Sequence, residues 1–271
     1  MALTPILNSQ GRHTLYNLSG PITSSNFEVE IAKGNIEGVE LIGKFGRNPL
    51  IQIADPAVDC WFRGGIYTGF PDVAEPLEVL STNANDTAGG TGAQEVTITN
   101  LLDANYVQQP PVTVQLNGTT PVSLGPQPYL RCSRAFVINA GSTGGNIGQI
   151  IVRSTPTPAN VFAAIGPAYN QTTMAAFTVP ADKTLYLTTI IITMSRTNGS
   201  NGAAEVSFRI REFGNTAFRS ILYTDVTNQS PFTYNQVLSF PSMTDIKVTI
   251  DNVSDNATRV SAHFYGQLCN T

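Results

Sequence analysis

The sequence predicts an all-β fold, an antiparallel β-sandwich of jelly-roll type preceded by an extended N-terminal arm. Short apolar runs alternate with polar residues at a period of two, as half-buried strands do. Clusters of Gly, Asn, Asp, Thr and Ser separate the runs, as turns between neighbouring strands require. Charged residues are only 13% of the 271-residue chain against 41% apolar. A core can therefore be buried, while hydroxyls and amides rather than charges solvate the surface.

Residues 1–75 read as the arm. Pro49, Pro56, Pro71, Pro76 and the Gly64-Gly65 pair interrupt any long strand or helix. Phe27-Glu28-Val29-Glu30-Ile31 alternates as a short extended piece would. The single tryptophan, Trp61, lies close to Phe62, Tyr67 and Phe70, which makes this stretch a candidate for aromatic docking.

Residues 76–271 read as the sandwich. Strands are expected at 77–81, 94–100, 112–116, 129–138 and 148–152, and again at 172–179, 184–194, 203–211, 217–224, 232–240, 246–251 and 259–268. In Glu205-Val206-Ser207-Phe208-Arg209-Ile210-Arg211 the apolar side chains fall on one face and the polar ones on the other. Asn117-Gly118 has the composition of a type I′ hairpin turn. The one expected helix, near 160–165, is short. It lies in a connector at 155–170, where the sandwich would divide if it comprises two lobes.

A formal net charge of −4 gives no reason to expect nucleic-acid binding. The first twenty residues lack a basic segment followed by an apolar run, so a secretory signal is not expected. No apolar window reaches membrane-spanning length. Cys60, Cys132 and Cys269 are odd in number and far apart, which suits neither a disulfide framework nor a zinc site. Asn-x-Ser/Thr matches at Asn17, Asn85, Asn117, Asn170 and Asn198 follow from an Asn- and Thr-rich composition.

Catalytic signals are weak throughout. There are two histidines, His13 and His263, and no Gly-x-Ser-x-Gly nucleophile elbow for either to serve. Asp86 to Ala93 has the glycines of a phosphate loop without its Lys-Ser/Thr ending, and a strand-like run follows it. Asp251, Asp255 and Asn256, or Asn83, Asn85 and Asp86, could offer oxygens to a cation, but turn-forming roles account for both groups. Glu205 with Glu212 or Asp225 would serve a glycosidase only if they converged. The expectation is a protein with no catalytic residue, no cofactor and no metal, and therefore not an enzyme.

The ordered pieces "KFGRNPLIQIADPAVDCWFRGGIYTGFP", "STNANDTAGGTGAQEVTITNLLDANY", "VQLNGTTPVSL", "YLRCSRAFVINAGSTGGNIGQIIV", "YNQTTMAAFTVPADKTLYLTTI", "FRIREFG", "MTDIKVTI" and "VSAHFYGQL" resemble a family of virion structural proteins of tailed bacteriophages. The resemblance spans about residues 40–271. It implies a structural component of the particle, a virion or head protein, with no catalytic residues to carry over. The leading expectation is a head decoration, or cement, protein whose residues 1–75 attach to the major capsid protein, with Arg47, Trp61, Tyr67 and Phe70 as the contact residues. On that expectation residues 76–271 face outward and associate as a homotrimer at lattice three-folds on the capsid exterior, the protein is assembled in the host cytoplasm, and neither nucleic acid nor membrane is a partner. The alternative is a tail or head fibre component that binds a host-surface receptor or glycan; a carbohydrate-active tail enzyme is a third reading. The family pattern has an acidic residue beside the tryptophan where this chain has Cys60 and Phe62.

Overall fold

The computed structural model describes residues 4–7, 13–16, 26–197 and 201–271. A hairpin pairs β1 (Thr4–Leu7) with β2 (His13–Tyr16). One short helix follows, α1 (Phe27–Ala32). Then come β3 (Val39–Ile51), β4 (Val58–Asp59), β5 (Leu77–Ser81), β6 (Ala93–Leu102), β7 (Gln108–Gln109), β8 (Val112–Gln115) and β9 (Val122–Ser123). The chain continues through β10 (Arg131–Ala140), β11 (Ile150–Ser154), β12 (Val161–Ile165), β13 (Ala176–Thr178) and β14 (Lys183–Arg196). It ends with β15 (Ala203–Arg211), β16 (Arg219–Thr227), β17 (Phe232–Tyr234), β18 (Leu238–Phe240), β19 (Asp245–Val253) and β20 (Thr258–Asn270). All pairing is antiparallel, so the predicted all-β class is observed.

The strands form two lobes, each with its own core. In the first, the sheet β12-β11-β5-β9 faces β10-β6 with β7 and β8 on its edge. Val79, Val96, Ile98, Ile150, Phe162 and Ile165 fill the space between them. In the second, β3-β20-β14, extended by β17 and β18, faces β19-β15-β16, with β13 and β4 flanking β19. Its interior holds Leu185, Ile190, Val206, Phe208, Ile250 and Phe264. Burial of one such side chain contributes about 1.5–3 kcal/mol, which explains why the alternating positions set the register.

The two lobes are copies of one arrangement. Glu95, Val96, Thr97 and Ile98 of β6 face Gln115, Val114, Thr113 and Val112 of β8. Glu205, Val206, Ser207 and Phe208 of β15 face Asp225, Thr224, Tyr223 and Leu222 of β16 at one constant spacing along the chain. On the other side, Glu95 faces Asn139 and Val96 faces Val137, with a bulge between. Glu205 faces Asn252 and Val206 faces Ile250, again with a bulge between. Two dissimilar folds would not share a register, a bulge and a Glu–Asn pair. The sequence keeps a trace of the copy: Gly92-Ala93-Gln94-Glu95-Val96 against Gly202-Ala203-Ala204-Glu205-Val206.

After β1, β2 and α1, each half of the remaining chain begins with a strand that completes the other half's lobe. β3 opens the first half and lies beside β20 of the second lobe, with Gly46 opposite Ala262. β12 opens the second half and lies beside β11 of the first lobe, with Ala163 opposite Val152. The next short pieces are also exchanged: Asp59 of β4 faces Thr249, and Gln171 faces Phe136 at the matching place. Beyond them the two halves meet directly, Trp61 bridging to Met174. The connectivity is that of a strand-swapped dimer made within one chain.

Several sequence expectations are corrected. Residues 39–75 are not an extended arm, because β3 and β4 belong to the second lobe's sheets and Trp61 and Tyr67 to the first lobe's core. Residues 76–271 are not one jelly roll. In each lobe a long strand pairs with the strands that directly follow it (β6 with β7 and β8, β15 with β16), whereas jelly-roll order sends successive strands to opposite sheets. The expected helix at 160–165 is the wholly buried strand β12, whose Val-Phe-Ala-Ala-Ile run is held between β11 and the core. Conversely, 27–31 is helical. Asn26 caps α1, its Oδ1 accepting from the amides of Glu28 and Val29. Asn117-Gly118 turns the chain with Gly118 at φ +59°, but it joins strands of different sheets rather than a hairpin.

Candidate functional site

The seam between the lobes gathers the aromatic and charged side chains that the sequence singled out. The sharp turn at Gly64 and Gly65, both at φ +66°, folds the chain back so that Trp61 Nε1 donates to the Gly65 carbonyl at 3.2 Å. Trp61 meets the Tyr67 ring edge-on at 5.1 Å, and Tyr67 meets Phe70 edge-on at 4.9 Å. The Tyr67 hydroxyl donates to the carbonyl of Phe162 at 2.7 Å and lies 3.2 Å from that of Cys132. Burial pushes its ionisation well above the ordinary tyrosine range.

Charged groups of both lobes close over this aromatic row. Arg131 of β10 reaches across to Asp245 of β19 with Nε and Nη2 each 2.9 Å from a carboxylate oxygen. Arg211 adds a contact to the same carboxylate at 2.7 Å, and Thr178 Oγ1 donates to it at 2.6 Å. The side chains of Arg131 and Asp245 are each 3% exposed. Both guanidiniums lie over the Phe70 ring, at 5.4 and 5.9 Å. A second buried carboxylate, Asp59, accepts from Lys247 Nζ at 2.9 Å, Thr249 Oγ1 at 2.7 Å and the Tyr67 amide at 2.8 Å. With donors from both lobes, this carboxylate is an inter-lobe lock.

The four predicted contact residues are therefore split. Trp61 and Tyr67 are interior, at 4% and 5% exposure, and Phe70 is half-buried beneath two arginines. Their aromatic surface is spent within the chain, so it cannot serve as the docking anchor. Arg47 lies apart on β3, half-buried, with its Nε unpartnered and its backbone amide donating to Thr173. Sequence reasoning missed Arg131, Asp245, Asp59 and Lys247. In sequence they are unremarkable: Lys247 alternates with Ile246 and Val248 and Arg131 with Leu130 and Cys132, so no local pattern marks them as buried.

The other candidates are accounted for locally. Asp86 accepts from Ser81 Oγ and from the amides of Ala93, Ile147 and Gly148, which staples the glycine-rich turn to the following loop. Asp251 is held by Ser207 and Arg209, and Asp255 pairs with Arg196. Glu205 accepts from the Tyr223 hydroxyl at 2.7 Å and Glu212 from Arg219 at 2.7 Å. His263 stacks on Phe45 at 6.1 Å, and partial burial lowers its pKa. His13 falls where side chains are outside the described residues. Among the described residues no three His, Cys, Asp or Glu side chains gather as a metal site, and no helix is long and apolar enough to cross a membrane.

Fold and seam together define an all-β protein of two interlocked sandwiches. No family model matches the chain and no curated protein is similar to it. Among solved structures it has a faint likeness to that of infectious bursal disease virus, Gx strain, at 10% identity and TM-score 0.25, covering 86% of this chain and 72% of that one. T=1 particles derived from the same virus give 12% identity and TM-score 0.22, covering 86% and 70%. Likeness at this level carries no argument about fold or function.

Proposed function

We propose that this chain is a structural protein of a virus particle: a head decoration protein of a tailed bacteriophage that stabilises the shell through non-covalent contacts with the major capsid protein and turns over no substrate. The ordered motifs between residues 44 and 268 support the reading through their resemblance to tailed-phage virion proteins. The observation that carries it is the reciprocal strand exchange. Neither lobe can peel away without losing an edge strand, which is the property a clamp on a pressurised shell requires.

With Trp61 and Tyr67 interior, the contact surface moves to one face of the β3-β20-β14 sheet. Register places Leu41, Tyr186, Tyr265 and Gln267 on that face. The first three are 46%, 40% and 44% exposed. Gly43 leaves room for the Tyr265 ring, which would lie 3.3 Å from a Cβ at that position. Trimers on lattice three-folds would multiply such modest contacts by avidity. The same tyrosines beside an amide suit a sugar, which is the observation favouring a fibre component that binds a host glycan.

Densitometry of purified virions decides between these readings. Copies in proportion to the capsid lattice support decoration, and a vertex or tail number supports the fibre. A Leu41→Ser, Tyr265→Ser double variant should leave particles with reduced occupancy and earlier heat release of the genome. Unchanged occupancy would show that this face is not the attachment surface.

A further inference from the structure

Where β3 crosses β10, a cavity of about 140 Å³ lies between the lobes, lined in part by Lys44, Asn100, Gln108, Ser133 and Arg134, and by the exposed Glu40, whose carboxylate is held by Lys183 Nζ at 2.9 Å. Lys44 is only 5% exposed. Its ammonium donates to the Ser133 carbonyl. The Arg134 guanidinium opposes its protonation, and no carboxylate offsets that effect. Beside it, Ser133 Oγ is buried and has no hydrogen-bond partner.

Comparison of the two lobes shows what is missing. Arg134 faces Thr99 in the first lobe as Lys247 faces Arg209 in the second. In the second lobe, Asp59 on the exchanged outer strand neutralises Lys247. At the matching place in the first lobe stands Gln171, which is neutral. The first lobe therefore keeps the cation and omits the matching carboxylate, and Lys44, on β3 of the second lobe, brings another cation beside it. A buried cation without a counter-ion is costly, and a cavity beside it gives an anion somewhere to bind.

We propose that this cavity is a binding site for a small oxyanion, held by Lys44 Nζ, Ser133 Oγ and the Arg134 guanidinium. Charge-assisted bonds to Lys and Arg supply the attraction. The Ser133 hydroxyl and the amides of Asn100 and Gln108 supply oriented donors, which favour an oxyanion over a spherical halide. Burial, with Arg134 nearby, lowers the Lys44 pKa from 10.5 to about 7, the direction expected of an amine that lacks its anion. The site is independent of any role in a virion.

The test is thermal unfolding and calorimetric titration of the full chain at pH 6.5 with sodium phosphate or sodium acetate, ionic strength being held by sodium chloride. One of the two anions should raise the unfolding temperature saturably over chloride, and which one does identifies the anion's geometry. Lys44→Met and Arg134→Gln should each bind it at least tenfold more weakly. Without the anion, Lys44→Met should be at least as stable as the parent, since it removes an uncompensated charge. If neither anion acts beyond chloride, or if a folded Lys44→Met or Arg134→Gln variant responds as the parent does, the site does not exist. Arg134 is half-exposed, so its variant keeps the test decisive should Lys44→Met misfold.

Discussion

Asp245 ties together side chains from three strands and both lobes, so its loss exposes the logic of the seam. In Asp245→Asn, Arg131 would remain buried with its counter-charge removed, and Arg211 would keep its longer contact to Asp72 at 3.7 Å. The expected loss is about 3–5 kcal/mol, read as a lower urea midpoint with an unchanged slope. Tyr67→Phe should cost about 1–3 kcal/mol in the same measurement, because the buried Phe162 and Cys132 carbonyls lose their hydroxyl donor. Titration acts in two directions. Lys44 is held at about 7 against its ordinary 10.5, so above pH 7 the unfolded chain binds a proton that the folded chain has released, and stability rises with pH. The buried thiols of Cys60 and Cys132 are pushed from 9.0 to about 12, so above pH 9 the unfolded chain ionises first and stability falls. Urea midpoints under reducing conditions should therefore climb from pH 7 and turn over above pH 9, and Lys44→Met should flatten the climb.

At the level of elements, the exchanged strand β3 is tightly constrained. Gly46 of β3 lies so close to the centre that a Cβ there would fall 2.2 Å from the Ala175 amide nitrogen and 2.3 Å from the Cys60 carbonyl oxygen. Backbone cannot yield as a side chain does, so Gly46→Ala should cost about 1–3 kcal/mol or more by thermal denaturation. Residues 155–159, between the two halves, are exposed. A protease site placed there should give two fragments that co-elute until denaturant is added, since each fragment supplies a strand to the other's lobe. Fragments that separate under native conditions would mean that the exchange is not what holds the halves together. The long strands were legible because alternation and burial coincide in them, as in β15 and β20. β12 and α1 were not. Val161 to Ile165 is buried on every side, and a wholly buried run shows no period. Phe27 to Ile31 alternates, but Asn26 offers a helix cap whose effect pattern alone does not weigh.

For the whole molecule, the interlocked lobes should unfold together. Two independent sandwiches would melt in two steps. Here either lobe, on opening, would strand an edge of the other, so calorimetry should show one transition with calorimetric and van't Hoff enthalpies equal. That cooperativity suits the proposed role on a particle that must endure outside a cell. The composition and the turn-rich alternation determined by themselves that the chain is all-β, with a hydroxyl- and amide-rich surface, because burial at a period of two is a local property of strands. Only the tertiary structure decided that the chain is two copies of one lobe, that each half closes the other, and that the aromatics near Trp61 face inward. Those facts depend on pairing between residues distant in sequence, and local pattern carries no information about which strand a given edge will find.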